Sequence, residues 1–402
     1  MISRSTLALA TFCLAVALSA CGAWDRSLDG EGEPGDDTSS GGDPAADDEA
    51  VEDEPPGDVG AADDPEGGEA PDEGGEPPPD GEPAARIGRC GDPAPSGAPE
   101  PPPLPAYSMG VCPSLTAGTN RLTSSGRDRD FILVLPAGFD PAAERPPLLV
   151  MWHYLGGAAD SMLSHGQVQE AADELRFIAA IPEKTGDLAV GFGDWEFDAA
   201  WPYMSTVPEG RMEEEAVFFD DMVTCIAAQL GVDESCISSV GVSAGGLWTA
   251  QLAQLRSERL ASIVLLSGGT GPATGIGFVD VRGFRGMARP LPALIGWGGS
   301  SDFLGVNFQR ASMNLESALE DNGHFVMECI HNCGHGVPPE DHEQGLSALY
   351  RFALDHPYWV EAGRSVYQVE GLSAGTPAWC ALGAGRAEPR TGPCDPDDSI
   401  EG

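Results

Sequence analysis

The sequence predicts a mostly parallel α/β sheet with helices packed on both faces. Three observations carry that expectation. Short apolar runs alternate with amphipathic helical stretches over about 290 residues, without an internal repeat. Several runs are apolar at every position, as strands buried on both faces must be. Polar residues able to do chemistry follow the ends of those runs, where open α/β sheets place their sites.

The elements read in order. Phe131–Leu135 is a strand candidate closed by Pro136-Ala-Gly. Pro147–Trp152 is a second, running into His153-Tyr-Leu-Gly156-Gly157. A helix is expected from about Gln167 to Glu174, then a strand over Phe177–Ile181. Glu214–Leu230 reads as a long helix, with Ala216, Phe218, Phe219, Met222, Ile226 and Leu230 recurring every three to four residues. Strands follow at Ile237–Val242, Leu260–Leu266, Leu291–Ile295 and Phe325–Ile330, and a last helix spans about Pro339 to Leu354.

The stretch Cys236 to Glu258 organises the rest. A short apolar run ends at Ser243, small residues flank it (Gly241, Ala244, Gly245, Gly246), and a helix-forming segment follows. Strand, sharp turn with one hydroxyl, then helix is the layout of a nucleophile elbow, Gly-x-Ser-x-Gly. Bulky neighbours are excluded because strand and helix pass close together there. The pattern alone is weak in a chain with 53 glycines, and Gly371-Leu-Ser373-Ala-Gly375 matches it too. Ser373 follows no convincing strand, runs into Thr376-Pro377, and has no histidine downstream, so it reads as a loop serine.

Asp302 and His335 also sit just past strand ends, and the order Ser243, Asp302, His335 is that of α/β-hydrolases. His335, between two glycines, is favoured as general base over His331 in the same loop. Asp280 competes with Asp302 but is less clearly at a strand end. His324 reads as structural, and His342 and His356 as solvated. Ala244 N–H, at a helix start, is the first oxyanion donor, and Tyr154 or Leu155 in the loop after the early strand supplies the second. Trp195 and Trp201, in the loop 191–203 with Asp194 and Glu196, are candidate walls of a substrate cleft.

Composition gives the address. Arg4 precedes an apolar run, Leu7 to Leu18, of signal-peptide length, and Leu18-Ser-Ala-Cys21 resembles a bacterial lipobox with Cys21 as the lipidated residue. Residues 22–88 read as a disordered acidic tether: between Asp25 and Glu82 stand 23 acidic residues against Arg26 alone, about half of the net charge of −43. Residues 89–402 form the catalytic domain with N- and C-terminal extensions. The acidity argues against a nucleic-acid partner. A membrane met through the lipid anchor is an expected partner; a monomer is expected, in the cell envelope or outside the cell. Ten cysteines, less Cys13 and Cys21, leave eight for disulfides. The simplest pairing joins nearest neighbours: Cys90–Cys112, Cys225–Cys236, Cys329–Cys333 and Cys380–Cys394. A metal site at Cys329, His331, Cys333 and His335 is disfavoured, since four ligands within seven residues crowd a tetrahedron. Neither metal nor cofactor is expected.

The chain resembles the secreted esterase family of polyhydroxybutyrate depolymerases and feruloyl or acetylxylan esterases, a branch of the α/β-hydrolases. The likeness rests on Pro147–His153 with Gly156-Gly157, Gly241–Gly246, the segment around Asp302, Cys333-Gly-His-Gly-Val-Pro338, Cys225, and Pro377-Ala-Trp-Cys380. It implies an ester substrate, polymeric ones included, hydrolysed by a Ser-His-Asp triad through an acyl-enzyme. The family has His-Gly after the early strand, where this chain has Tyr154 in place of the glycine. Two other functions fit the same residues. One is a serine peptidase of this fold; the other is a non-catalytic surface lipoprotein, which the Tyr154 substitution would suit.

Overall fold

The computed structural model describes residues 87–192, 195–272, 279–336, 345–373 and 375–394, all within the compact unit Ala85–Gly402. Cys21, the acidic tether, His342 and the first turns of the last expected helix lie outside the described residues.

A nine-stranded sheet organises this unit. Its strands are β1 (Gly118–Ser124), β2 (Arg127–Val134), β3 (Leu148–Trp152), β4 (Ile178–Pro182), β7 (Ile237–Val242), β8 (Ser262–Leu266), β9 (Ala293–Trp297), β10 (Val326–Ile330) and β11 (Cys380–Leu382). Their spatial order is β1-β2-β4-β3-β7-β8-β9-β10-β11. From β4 to β10 every pairing is parallel, while β1, β2 and β11 run antiparallel to their neighbours. A separate hairpin, β5 (Ala189–Phe192) with β6 (Trp195–Asp198), occupies part of the stretch read as a cleft loop.

Alternation along β3 explains why the sheet needs cover on both faces. Leu148, Val150 and Trp152 enter one buried cluster, and Leu149 and Met151 enter the other. All five are buried, which is why the run carries no polar residue. The long helix (Glu209–Leu230) starts five residues before its expected position, after Pro208, and stops at Gly231 in a left-handed conformation. Its buried Glu215 takes hydrogen bonds from Arg129 at 2.8 Å and Arg211 at 2.7 Å.

Elements absent from the sequence reading have polar or mixed faces. β1 alternates exposed and buried residues and is joined to β2 by Ser125-Gly126, both at positive φ as a two-residue hairpin requires. Helices Ala159–His165 and Phe308–Asp321 were likewise not apparent as apolar runs.

The nearest-neighbour disulfide pairing is wrong at every bond. The structure joins Cys90–Cys236, Cys112–Cys225, Cys329–Cys380 and Cys333–Cys394. The fold decides this. Cys329 and Cys380 are register partners across β10 and β11, and the N-terminal segment is fastened at Cys90 to the start of β7 and at Cys112 to the long helix.

Candidate active site

Ser243 lies between β7 and the helix Ala244–Arg256, with φ 55° and ψ −117°. A non-glycine residue rarely accepts that geometry, and its surroundings enforce it. Ser243 N–H donates to Leu266 O at 2.8 Å, across to β8. A Cβ on Gly241 would come within 2.1 Å of Gly245 O, and one on Gly245 within 2.0 Å of Trp152 O. Only glycines let helix, elbow strand and β3 meet this closely.

Three side chains converge on that turn. Ser243 Oγ–H donates to His335 Nε2 at 2.8 Å, and His335 Nδ1–H donates to Asp302 Oδ1 at 2.7 Å. The second oxygen of Asp302 accepts from Ser267 Oγ–H and from Gly298 N–H, each at 2.8 Å. A buried carboxylate so held keeps the imidazole in the tautomer whose Nε2 can take a proton from serine. Asp302 and Ser243 are buried and His335 is 16 % exposed, so the proton path is largely dry but reachable.

The competitors are elsewhere. His331 is buried beside Trp379, its Nδ1 accepts from Cys333 N–H at 3.3 Å, and burial pushes its pKa down to about 4. Asp280 accepts from Ser205 Oγ–H, and Ser373 pairs with Thr376. His324 is structural, bonded at Leu291. His356, expected to be solvated, is fully buried against Phe352 O and Ser365 Oγ. Cys329 and Cys333 are both in disulfides, so neither offers a thiolate to a metal.

The loop after β3 lies against the elbow. Tyr154 O accepts from Gly157 N–H at 3.0 Å, closing a turn with Gly156 at φ 75°. The N–H of Leu155 has no hydrogen-bond partner among the described residues. The Tyr154 side chain stacks on His165, its hydroxyl 2.8 Å from His165 Nδ1, and its ring lies over Gly157.

Trp201 is not a cleft wall. It is fully buried, edge-on to Trp152, and its indole N–H donates to His153 O at 2.8 Å. The hydrogen bond explains how so large a polar-tipped ring is buried. Trp195 is on β6, but its side chain lies outside the described residues.

Two supports of the site were missed in the sequence. Ser267 ends an apolar strand, a signal that was available. Phe308 stacks on His335, ring centroids 4.3 Å apart and planes 20° apart; only folding brings those two together.

No family model matches the sequence. A protein named "Probable feruloyl esterase C" from Aspergillus terreus is 22% identical over 187 residues, 45% of this chain and 62% of the relative. Feruloyl esterase D of Neurospora crassa is 23% identical over 167 residues, 41% of this chain and 54% of the relative. The chain thus spans between half and two thirds of the length of the curated relatives it matches. The crystal structure of native pOPH superposes with a TM-score of 0.52 at 19% identity, covering 68% of this chain and 97% of that one. Native sOPH gives 0.51 at 18%, covering 69% and 98%. The protein has the α/β-hydrolase fold, and in sequence it resembles the feruloyl-esterase family that its motifs anticipated.

Proposed function

We propose that this protein is an exported serine esterase that hydrolyses carboxylic esters through Ser243, His335 and Asp302. The observation that carries the reading is the unbroken hydrogen-bond line from Ser243 Oγ through His335 to Asp302, at 2.8 and 2.7 Å. The names of the sequence relatives, feruloyl esterases, support esters as the substrate class.

Ser243 Oγ attacks the ester carbonyl carbon as its proton passes to His335 Nε2. The carbonyl oxygen becomes an oxyanion, met by Ala244 N–H at the helix start and by Leu155 N–H. The carbon–oxygen bond to the alcohol breaks, and the alcohol leaves with the proton from His335. Water then attacks the acyl-enzyme, giving up a proton to His335, and the acid departs as Ser243 recovers its own. Asp302 stays ionised and stabilises the imidazolium in both halves. No cofactor takes part in this scheme. Feruloyl, acetyl and hydroxyalkanoate esters, polymeric ones included, are the substrates to try first. Four disulfides favour an oxidising, extracytoplasmic location, and Cys21 is the residue we assign to a lipid anchor.

Ser243→Ala, assayed with p-nitrophenyl butyrate, is the test. Loss of roughly 10⁴-fold or more in kcat is expected; turnover within tenfold of the parent would sink the assignment. A fluorophosphonate probe should label the parent and spare the variant.

A further inference from the structure

His153 has an unusual position for a side chain with no part in the triad. It directly follows β3 and is fully buried. Its Nδ1 lies 2.9 Å from Tyr154 O, the carbonyl of the next residue. An oxygen can only accept, so Nδ1 carries the proton and Nε2 is bare. That bare nitrogen is buried with no hydrogen-bond partner, since the closest carboxylate oxygen, Glu183 Oε1, is 3.7 Å away. Burial lowers the pKa of the ring and keeps it in this neutral form. A buried polar atom left unpaired is costly, so what the ring contributes comes through its other nitrogen.

That contribution falls on the peptide that joins Tyr154 to Leu155. In a trans peptide the C=O and the N–H point in opposite directions. Holding the Tyr154 carbonyl toward the interior turns the Leu155 N–H the other way. That carbonyl receives two donors, the Gly157 N–H of its own turn and the His153 imidazole. The Leu155 N–H is left without a partner among the described residues. His153 is itself pinned, because its own carbonyl takes the Trp201 indole N–H. The backbone of Trp152 and His153 also presses on the elbow: a Cβ on Gly245 would meet their carbonyl oxygens at 2.0 and 2.8 Å. The loop is therefore indexed to Ser243 through this contact.

We infer that His153 is the positioning residue of the oxyanion loop, holding the Tyr154–Leu155 peptide so that its N–H is presented to the substrate oxyanion. The inference rests on the esterase reading above for its kinetic arm alone. It also resolves how a loop bearing Tyr154 in place of glycine can stay ordered: the side chain is tied to His165 and the carbonyl to His153.

The test compares His153→Leu, which removes both ring nitrogens, with His153→Asn, whose side-chain amide can reach the same carbonyl from the Nδ1 position. With p-nitrophenyl butyrate, His153→Leu should lower kcat by roughly tenfold or more with KM within about twofold. This is part of the 10²–10³ that a whole oxyanion donor is worth. His153→Asn should recover most of that loss, while melting temperatures report any common loss of stability. Equal kcat loss in both variants, or a loss carried by KM, would overturn the inference. If the parent itself neither turns over esters nor takes the fluorophosphonate, the esterase reading fails and the structural arm still decides. Crystal structures of the parent and of His153→Leu should differ by rotation of the Tyr154–Leu155 peptide; an unchanged peptide would refute the role.

Discussion

Phe308 lies flat against His335, and its backbone N–H donates to the carbonyl of Asp302 at 3.0 Å. One short loop, Asp302 to Phe308, thus supplies both the carboxylate that orients the imidazole edge and the ring that fixes its plane. Phe308 is buried, so its ring cannot swing away without opening a cavity. Phe308→Leu keeps most of the apolar volume and removes the flat face. We expect a kcat several-fold lower and a stability loss of about 1 kcal/mol, read from steady-state kinetics and urea unfolding.

Buried Asp302 accepts three hydrogen bonds on two oxygens, from His335 with one and from Ser267 and Gly298 with the other. Asp302→Asn preserves shape but offers an amide where a carboxylate must accept. The imidazole is then pushed toward the tautomer that cannot take the serine proton. A fall of roughly 10⁴-fold in kcat is expected, with KM little changed. Circular dichroism should show the fold retained.

The loop bearing His335 is strapped to the C-terminal segment. Cys333 is bonded to Cys394, Asn332 donates to Gly392 O at 2.9 Å, and Arg390 donates to Asn332 at 3.0 Å. With Cys329–Cys380 intact, the extra ring closed by Cys333–Cys394 runs through only the short segments 329–333 and 380–394. Loop entropy then gives that bond about 3 kcal/mol. The double variant Cys333→Ser with Cys394→Ser should lose up to that amount in thermal or urea unfolding. It should also lose activity, because His335 is two residues from the removed bond.

Glu316 is buried and accepts the Trp297 indole N–H at 3.2 Å. Burial, then the neighbouring Glu328 carboxylate, pushes its pKa from 4.5 up to about 9. Glu328 is anchored by the N–H groups of Arg386 and Ala387 at 2.8 and 2.9 Å. Between those two pKa values the folded protein keeps a proton that the unfolded chain releases. Stability contributed by this group is therefore full below about pH 4.5 and declines as pH rises toward 9. Glu316→Gln should flatten that decline and raise stability at pH 8 by roughly 2 kcal/mol. Melting curves of both proteins across pH 5 to 9 check it; parallel curves would show that Glu316 ionises normally.

The sheet was legible because buried parallel strands must be apolar throughout, and Leu148–Trp152, Ile178–Ile181 and Val326–Ile330 are nearly so. Strands with a wet face, such as β1, carry no such run, and helix Phe308–Asp321 interleaves Arg310, Glu316 and Glu320 with its apolar face. The site was legible to the same depth. Ser243, Asp302 and His335 announced themselves by following strand ends; Ser267 follows one too, just after Leu266, while Phe308 does not stand out from ordinary helix residues.

What the sequence determined by itself is therefore the periodic and the local: strand, helix, the glycines a sharp turn needs, and the chain order of three catalytic candidates. Tertiary structure decided what depends on distance between remote residues. It paired Cys90 with Cys236 rather than Cys112, sent Trp201 into the core, and brought His335, not His331 four residues away, within hydrogen-bond reach of Ser243. Each of these turns on which side chain reaches a partner within about 3 Å for a hydrogen bond or about 2 Å for a disulfide. Local pattern says which residues are available; only the packed sheet brings them within that reach.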